Sequence, residues 1–237
     1  KVVKNAAGFD LPKLMVGALG AFGPLVEVTF KVFPRPPATA TLRVSYVNVD
    51  AALNATARLS AAPVDIMALD LAPDNTSCDL EVRLGGLGEI LPVRLERIKG
   101  LLNLGPGAGF EILDDDQAHW RGVGEFEWLP SGSALVKVPL VPGAVPALEA
   151  ALTEAGAARR YSVGANLAWI AWPTGPRGLD DILRAQSLAG LILLGSATRS
   201  LRLGAWPENV FLRHVLQALD PQRKFISPGE RLLSEES

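Results

Sequence analysis

Glycines 17, 20 and 23 are the residues whose type and spacing speak first of chemistry. Glycine carries no Cβ, so glycines at this interval strip the side chains from one edge of a turn or short helix. A planar or anionic ligand can then approach the main chain closely. The same spacing would also let a helix pack tightly on a sheet, and the residues alone leave both roles open. The only histidines are His119 and His214, far apart in the chain. His119 follows Asp114, Asp115 and Asp116, where a solvated helix face is expected in preference to a weak ion site. His214 reads as a surface or capping residue on a late helix. No nucleophilic triad can be assembled from the two, so no catalytic residue and no metal site is expected.

Other residues with chemical potential have simpler readings. The single cysteine, Cys78, can form neither an internal disulfide nor a thiolate cluster, and reads as a small buried hydrophobe. Of the five tryptophans, Trp169 and Trp172 lie three apart in an expected strand and should face opposite sides of a sheet. Core packing or a subunit interface accounts for the tryptophans better than an aromatic box. The run Ala158-Arg159-Arg160-Tyr161 reads as a strand edge protected by charge.

The elements that must position these residues follow a repeating order. Leu25 to Phe33 is strand-like and ends at Pro34-Arg35-Pro36-Pro37, a cluster that cannot continue a ladder and marks a domain boundary. Thr39 to Val47 alternates as a half-buried strand, and the alanine-rich stretch from Asp50 to Ser60 reads as a helix. Strands over Ile66–Leu71 and Cys78–Leu84 and a helix over Leu91–Leu102 complete the first unit. Gly105 to Pro130 opens as a loop, with a short helix expected over Asp114–Trp120. The order then returns as strand Ala134–Leu140, helix Val145–Ala155, strands Arg159–Val163 and Asn166–Trp172, and helix Leu179–Leu188. Gly190–Leu194 adds a short strand and Glu208–Ala218 a last helix. Two β-α-β-β-α units in tandem predict an α+β fold, one antiparallel sheet with helices on one face, built of ferredoxin-like pieces.

Composition narrows the classes of function. With 49% hydrophobic residues among 237 and a mean hydropathy of +0.23, the chain can bury a substantial core. The near balance of 23 basic and 25 acidic residues supplies no field for nucleic acid or an anionic bilayer. No apolar run approaches the ~20 residues of a membrane span, and no signal peptide opens the chain.

Two segments resemble one family. Lys4-Asn5-Ala6-Ala7-Gly8-Phe9-Asp10-Leu11 and Lys13-Leu14-Met15-Val16-Gly17-Ala18-Leu19-Gly20 are similar to K-N-x-A-G-[YF]-D-L-x-K-L-M-x-G-x-L-G of the FAD-linked oxidases, in the form closest to the E-type subunit of glycolate oxidase. The match continues through Glu27-Val28-Thr29-Phe30-Lys31-Val32-Phe33-Pro34-Arg35-Pro36. Near the other end, Leu219-Asp220-Pro221 through Phe225-Ile226-Ser227-Pro228-Gly229 resembles the family's L-D-P-x-x-x-F-N-P-G tail.

The resemblance implies that residues 1–37 are a C-terminal remnant of a PCMH-type FAD-binding domain. Residues 38–237 would be a duplicated ferredoxin-like cap for substrate or partner, its tail returning to the flavin. It implies that backbone around Gly17, Gly20, Gly23, Leu25 and Val26 lines the FAD adenosine and diphosphate, with Asn5, Gly8, Asp10 and Ser227 nearer the flavin ring. Against the wider G-S-x-G-T-L-G-[VI] pattern, Ala18 and Ala21 lose hydroxyls, Phe22 replaces Leu, and Pro24 brings no N–H. Ser227 stands where Asn is usual. Neither the family's R-G-G-G-T diphosphate loop nor its H-x-G-D-G-N-x-H metal and substrate motif occurs in these residues. The loop, and the cofactor it holds, are expected in a longer protein that extends before Lys1.

The function so implied is an FAD-binding accessory subunit of a cytoplasmic glycolate dehydrogenase, without independent turnover. Its partners would be a catalytic flavin subunit and an iron–sulfur subunit, through which it could meet a membrane. Two alternatives stay open: a single-subunit dehydrogenase of the D-lactate type, and an assembly module that no longer binds FAD.

Overall fold

A computed structural model describes residues 11–74, 76–104, 109–114, 116–173, 177–195, 201–207, 210–222 and 224–225. The chain divides into two compact units. The larger comprises Phe33–Ser196 and Leu203–Ala205, and the smaller comprises Lys1–Val32, Ala197–Arg202 and Trp206–Ser237.

The larger unit holds the predicted α+β sheet, now of nine strands. Its first half runs β1 (Ala38–Tyr46), α2 (Val49–Ala61), β2 (Ala68–Pro73), β3 (Cys78–Gly86), α3 (Leu91–Leu101), β4 (Phe110–Asp114) and α4 (Gln117–Gly124). The second runs β5 (Ala134–Pro139), α5 (Val145–Glu154), β6 (Ala158–Ser162), β7 (Leu167–Trp172), α6 (Arg177–Ala185) and β8 (Ala189–Leu194), with β9 (Arg202–Gly204) beyond it. Spatial order is β4-β1-β3-β2-β6-β7-β5-β8-β9. From its outer edge the first half runs fourth, first, third, second; the second half repeats this as β8, β5, β7, β6 with β9 added outside β8, and the two halves meet back to back at β2 and β6. Every pairing of known register is antiparallel.

Local chemistry explains the elements. Asn48 caps α2, its side-chain oxygen accepting from the Ala51 N–H at 2.9 Å. Proline stands in the first turn of both α3 and α5, where its missing N–H costs nothing. Leu42, Val44, Leu80, Val82, Leu71, Val136, Val138 and Ile170 are buried beneath the helix layer. In that layer α2 packs against α3 and α5, and α5 against α6. The seam between halves is short: Leu71 pairs with Tyr161, and the Gly164 N–H donates to the Leu69 carbonyl at 2.8 Å.

Several expectations need correction. β4 follows the glycine-rich opening where no strand was expected and takes in Asp114, which was expected to start a helix; it forms because β1 offers it an open edge at Ala40–Val44. The helix α4 is not in the helix layer: its Trp120 donates to Thr41, which points to the opposite face of the sheet. Residues 158–161 do not form an edge, since β6 is central and joins the halves.

In the smaller unit, α1 (Leu11–Met15) leads into consecutive turns, and α7 (Val210–Leu219) is the last described helix. Leu25 to Phe33 is not a strand. Its alternating pattern is real, but an extended segment needs a neighbouring ladder to satisfy its amides, and among the described residues it has none. Val26 and Phe33 stand 95% and 85% exposed.

Candidate functional site

The glycine segment of the smaller unit is a chain of tight turns. Ala18 N–H donates to Met15 O at 3.2 Å, Ala21 N–H to Ala18 O at 3.0 Å and Gly23 N–H to Gly20 O at 3.2 Å. Gly17, Gly20 and Gly23 have φ of +77°, +84° and +124°, a region that residues with a Cβ rarely enter. No described atom lies within 4 Å of where a Cβ would stand on Gly17 or Gly20, so no sheet packs there. At Gly23 the nearest group is the Phe225 ring, 3.7 Å away, which brings the described part of the tail beside the glycine turns. Leu25 and Val26 are exposed. Asn5, Gly8, Asp10 and Ser227 lie outside the described residues.

The larger unit carries a charged row that the sequence reading missed. On the sheet face away from the helix layer, Arg43 of β1 stands opposite Glu111 of β4 on one side and Glu81 of β3 on the other. Glu81 in turn stands opposite Asp70 of β2. Beyond the seam, Arg160 of β6 stands opposite Trp169 of β7, which stands opposite Lys137 of β5. These residues form one line across seven strands, and cross-strand pairing of opposite charges supports most of its contacts.

Glu81 is the hub of that line. Its Oε1 accepts from Arg43 Nε at 3.1 Å, and its Oε2 accepts from Arg160 Nη2 at 2.5 Å and from His119 Nε2 at 3.1 Å. Burial acts to raise the Glu81 pKa, but the Arg160 guanidinium and then His119 outweigh it and hold the carboxyl below its ordinary range. Asp70 has the opposite fate. Burial pushes it up to about 6, Arg160 at 4.0 Å and the Val163 N–H pull it down only in part, and the facing Glu81 adds to the rise.

His119 is half-buried in this cluster and is not a residue of a solvated helix face. Arg43 Nη2, which can only donate, lies 3.5 Å from its Nδ1. That contact leaves Nε2 as the protonated nitrogen donating to Glu81. Both ring nitrogens are engaged, so the ring positions Glu81 and has no free lone pair for proton abstraction. Asp116 anchors α4 beneath it, accepting from Thr39 at 2.7 Å, from Arg83 at 2.9 Å and from Thr41. His214 is exposed on α7. Among the described residues no group of three or more His, Cys, Asp or Glu could hold a metal. Cys78 is buried, and desolvation first, then Glu149, pushes its thiol up to about 12, which makes it inert. Among the described residues no helix is long and apolar enough to cross a membrane.

The readable signal for the row was the polar half of each alternating strand: Arg43, Asp70 and Glu81 each sit between buried apolar neighbours, whereas Arg160 sits between buried Arg159 and Tyr161. Their pairing depends on register between strands far apart in the chain.

No family model matches the chain. Glycolate oxidase subunit GlcE of Escherichia coli (strain K12) is 39% identical over 95 residues, a match covering 40% of this chain and 26% of the relative. Glycolate oxidase subunit GlcD of Bacillus subtilis (strain 168) is 38% identical over 64 residues, covering 27% of this chain and 14% of the relative. The match thus spans only about a quarter or less of each curated relative's length. Among solved structures, two of the Acremonium strictum glucooligosaccharide oxidase are 11% identical, with TM-scores of 0.43 and 0.45, covering 86% of this chain and 58% and 57% of theirs. The flavoenzyme CrmK of caerulomycin biosynthesis is 16% identical with a TM-score of 0.38, over 65% of this chain and 43% of its own. By sequence, then, part of this chain is similar to subunits of glycolate oxidase, as its glycine and tail motifs led one to expect.

Proposed function

We propose that this chain is part of an FAD-binding accessory subunit of a glycolate dehydrogenase, a complex that oxidises glycolate to glyoxylate. The observation that carries the reading is the 39% identity over 95 residues to a glycolate oxidase subunit. Its partners in this reading are a catalytic flavin subunit and an iron–sulfur subunit.

The residues present fit a dinucleotide through main chain alone. The open, left-handed turns at Gly17 and Gly20 expose backbone that a Cβ would cover. The N–H groups of Leu19, Gly20 and Phe22 have no partner among the described residues and are free to meet diphosphate oxygens. Asn5, Gly8, Asp10, Gly23, Leu25, Val26 and Ser227 complete the set that would hold FAD. When bound, FAD would supply hydride-acceptor chemistry for a 2-hydroxy acid, and the part of this chain's residues would be binding, orientation and exclusion of water. Residues 1–37 are read as the end of the flavin domain and 38–237 as the cap.

One observation favours a second reading, an assembly module without flavin: Ala18 and Ala21 lack the hydroxyls of the family's pattern and Pro24 lacks its N–H. A single experiment separates the two. The full-length protein is purified with and without the other subunits, and its flavin spectrum and glycolate-dependent dye reduction are recorded. Bound flavin, lost in Gly20→Val, with turnover only in the complex, is the expected result. A colourless subunit that still restores turnover to the complex would establish the assembly module. Turnover of D-lactate by the subunit alone would overturn both.

A further inference from the structure

Four departures from ordinary packing converge beyond the seam, on the face that carries the charged row. Lys137 of β5 is half-buried over the Trp169 ring, its ammonium 5.8 Å from the ring centroid, with no carboxylate partner among the described residues. Arg160 is 9% exposed, and its Nε–H has no acceptor although its Nη2 is paired with Glu81. Trp128 likewise keeps a buried indole N–H without a partner. Phe126, which joins the two indoles at centroid distances of 6.2 and 5.2 Å, has φ of +59°, where a bulky residue is strained.

An unpaired buried N–H is costly, and native structures rarely leave one unanswered. Here the unanswered groups are all donors, one of them cationic, with a free ammonium nearby. What they lack is an acceptor carrying negative charge. Around them lie three aromatic faces, so the rest of such a ligand must be planar and apolar. Ser162 adds a hydroxyl whose oxygen already accepts from the Trp169 N–H at 2.9 Å, leaving its own hydrogen to donate.

We infer that Lys137, Arg160, Ser162, Trp128 and Trp169, with Phe126 as a displaceable cover, form a binding site for a small aromatic carboxylate. The carboxylate meets Lys137 and the orphaned donors, and the ring lies among the indoles. Because the unpaired N–H groups are closed to solvent, entry requires Phe126 to move, and relief of its backbone strain offsets part of that cost. The inference stands apart from the flavin reading, since none of these residues is assigned to FAD.

The test is calorimetric titration and tryptophan fluorescence of the full-length protein with phenylacetate, with 2-phenylethanol and acetate as probes lacking the charge or the ring. Phenylacetate is expected to bind saturably, one per chain, with both comparison probes weaker by about tenfold or more. Lys137→Met removes the charge at a half-exposed position and should weaken binding by about tenfold without shifting the unfolding midpoint. Trp169→Leu should abolish the fluorescence response that follows phenylacetate. Absence of saturable binding, equal affinity for all three probes, or unchanged affinity in Lys137→Met would overturn the site.

Discussion

The two halves of the sheet share a topology and divide their chemistry oppositely. In the first half the face under the helices is mostly apolar, with Leu42, Val44, Leu69, Leu71, Leu80 and Val82, while the open face carries Arg43, Asp70, Glu81 and Arg83. In the second half the strand equivalent to β2 places Arg159 and Tyr161 under the helices, against Glu149 of α5, and the open face sets Trp169 between Arg160 and Lys137, with Phe126 against the indole. One architecture therefore tolerates charge on either side of the sheet, provided each charged group finds its partners. The fold constrains topology and spacing, and the partners decide which face is polar.

The buried triad of the second half is where this comparison can be broken most sharply. Glu149 accepts from Arg159 Nε at 3.0 and 3.1 Å and from the Tyr161 hydroxyl at 2.7 Å. Burial acts to lower the Arg159 pKa, and Glu149 reverses it; burial and then Glu149 push the Tyr161 phenol well up. Glu149→Ala leaves a guanidinium buried without its counter-ion, and is expected to cost about 3–5 kcal/mol in denaturant unfolding. Replacing all three by Leu, Met and Phe should be neutral or stabilising, because the pair's attraction hardly repays its desolvation. At the matching place in the first half, Leu71→Ala should cost about 2–5 kcal/mol through the cavity alone. A Glu149→Ala cost under about 1 kcal/mol would show the second half to be as dry in substance as the first.

The open face of the first half gives the next effect, and its sign is set by Asp70. An unfolded aspartate titrates near ~3.9, whereas burial raises Asp70 in the fold to about 6. The folded state thus holds this proton more tightly. Its contribution to stability is complete below ~3.9 and disappears as pH rises through about 6. Asp70→Asn should flatten that part of the curve and raise the melting temperature at about pH 8. Melting temperatures across the range decide it: parallel curves for the two proteins would mean that Arg160 already neutralises Asp70 and that the first half's charged face carries no proton-linked cost.

Much of this architecture was legible as period. The alternation in residues 39–47, 134–140 and 166–172 placed strands within about two residues of their observed ends, and the repeated order of elements anticipated the duplication. β4 was hidden because its five residues follow a glycine-rich stretch of sequence and pair with one strand alone among the described residues, β1. Leu25–Phe33 shows the converse, a strand pattern with no ladder to join among the described residues. The charged row eluded reading because Arg43, Glu81 and Arg160 lie 38 and 79 residues apart and meet only through register. His119 was misjudged for the same reason: its acidic neighbours in sequence suggested solvent, while its partners Glu81 and Arg43 come from strands β3 and β1, far from α4 in the chain. Arg159 and Arg160 looked like one basic spot, although neighbours in a strand face opposite sides of the sheet.

The smallest expected effect concerns how each half closes its second hairpin. Between β2 and β3, the Asp74 carboxylate accepts from the Thr76 and Ser77 N–H groups at 2.6 and 2.7 Å, which draw its pKa down to about 2. Between β6 and β7 the side chain that closes the turn is a donor, Asn166 Nδ2 to the Val163 and Gly164 carbonyls at 2.9 and 3.3 Å, and Val163, Gly164 and Ala165 all take left-handed conformations at φ of 57°, 62° and 65°. For a β-branched residue that conformation costs about 1–2 kcal/mol. Val163 is mostly exposed, so its side chain contributes little packing in return. The turn is held because it latches the seam, with the Val163 N–H directed to Asp70 and the Gly164 N–H to Leu69. Val163→Gly keeps both bonds and removes the strain, at the cost of a more flexible unfolded chain, and should stabilise by about 0.5–1 kcal/mol in denaturant midpoint. A loss instead would mean that the isopropyl group itself packs the seam, and that the second half gains from its side chain what the first half gains from a carboxylate.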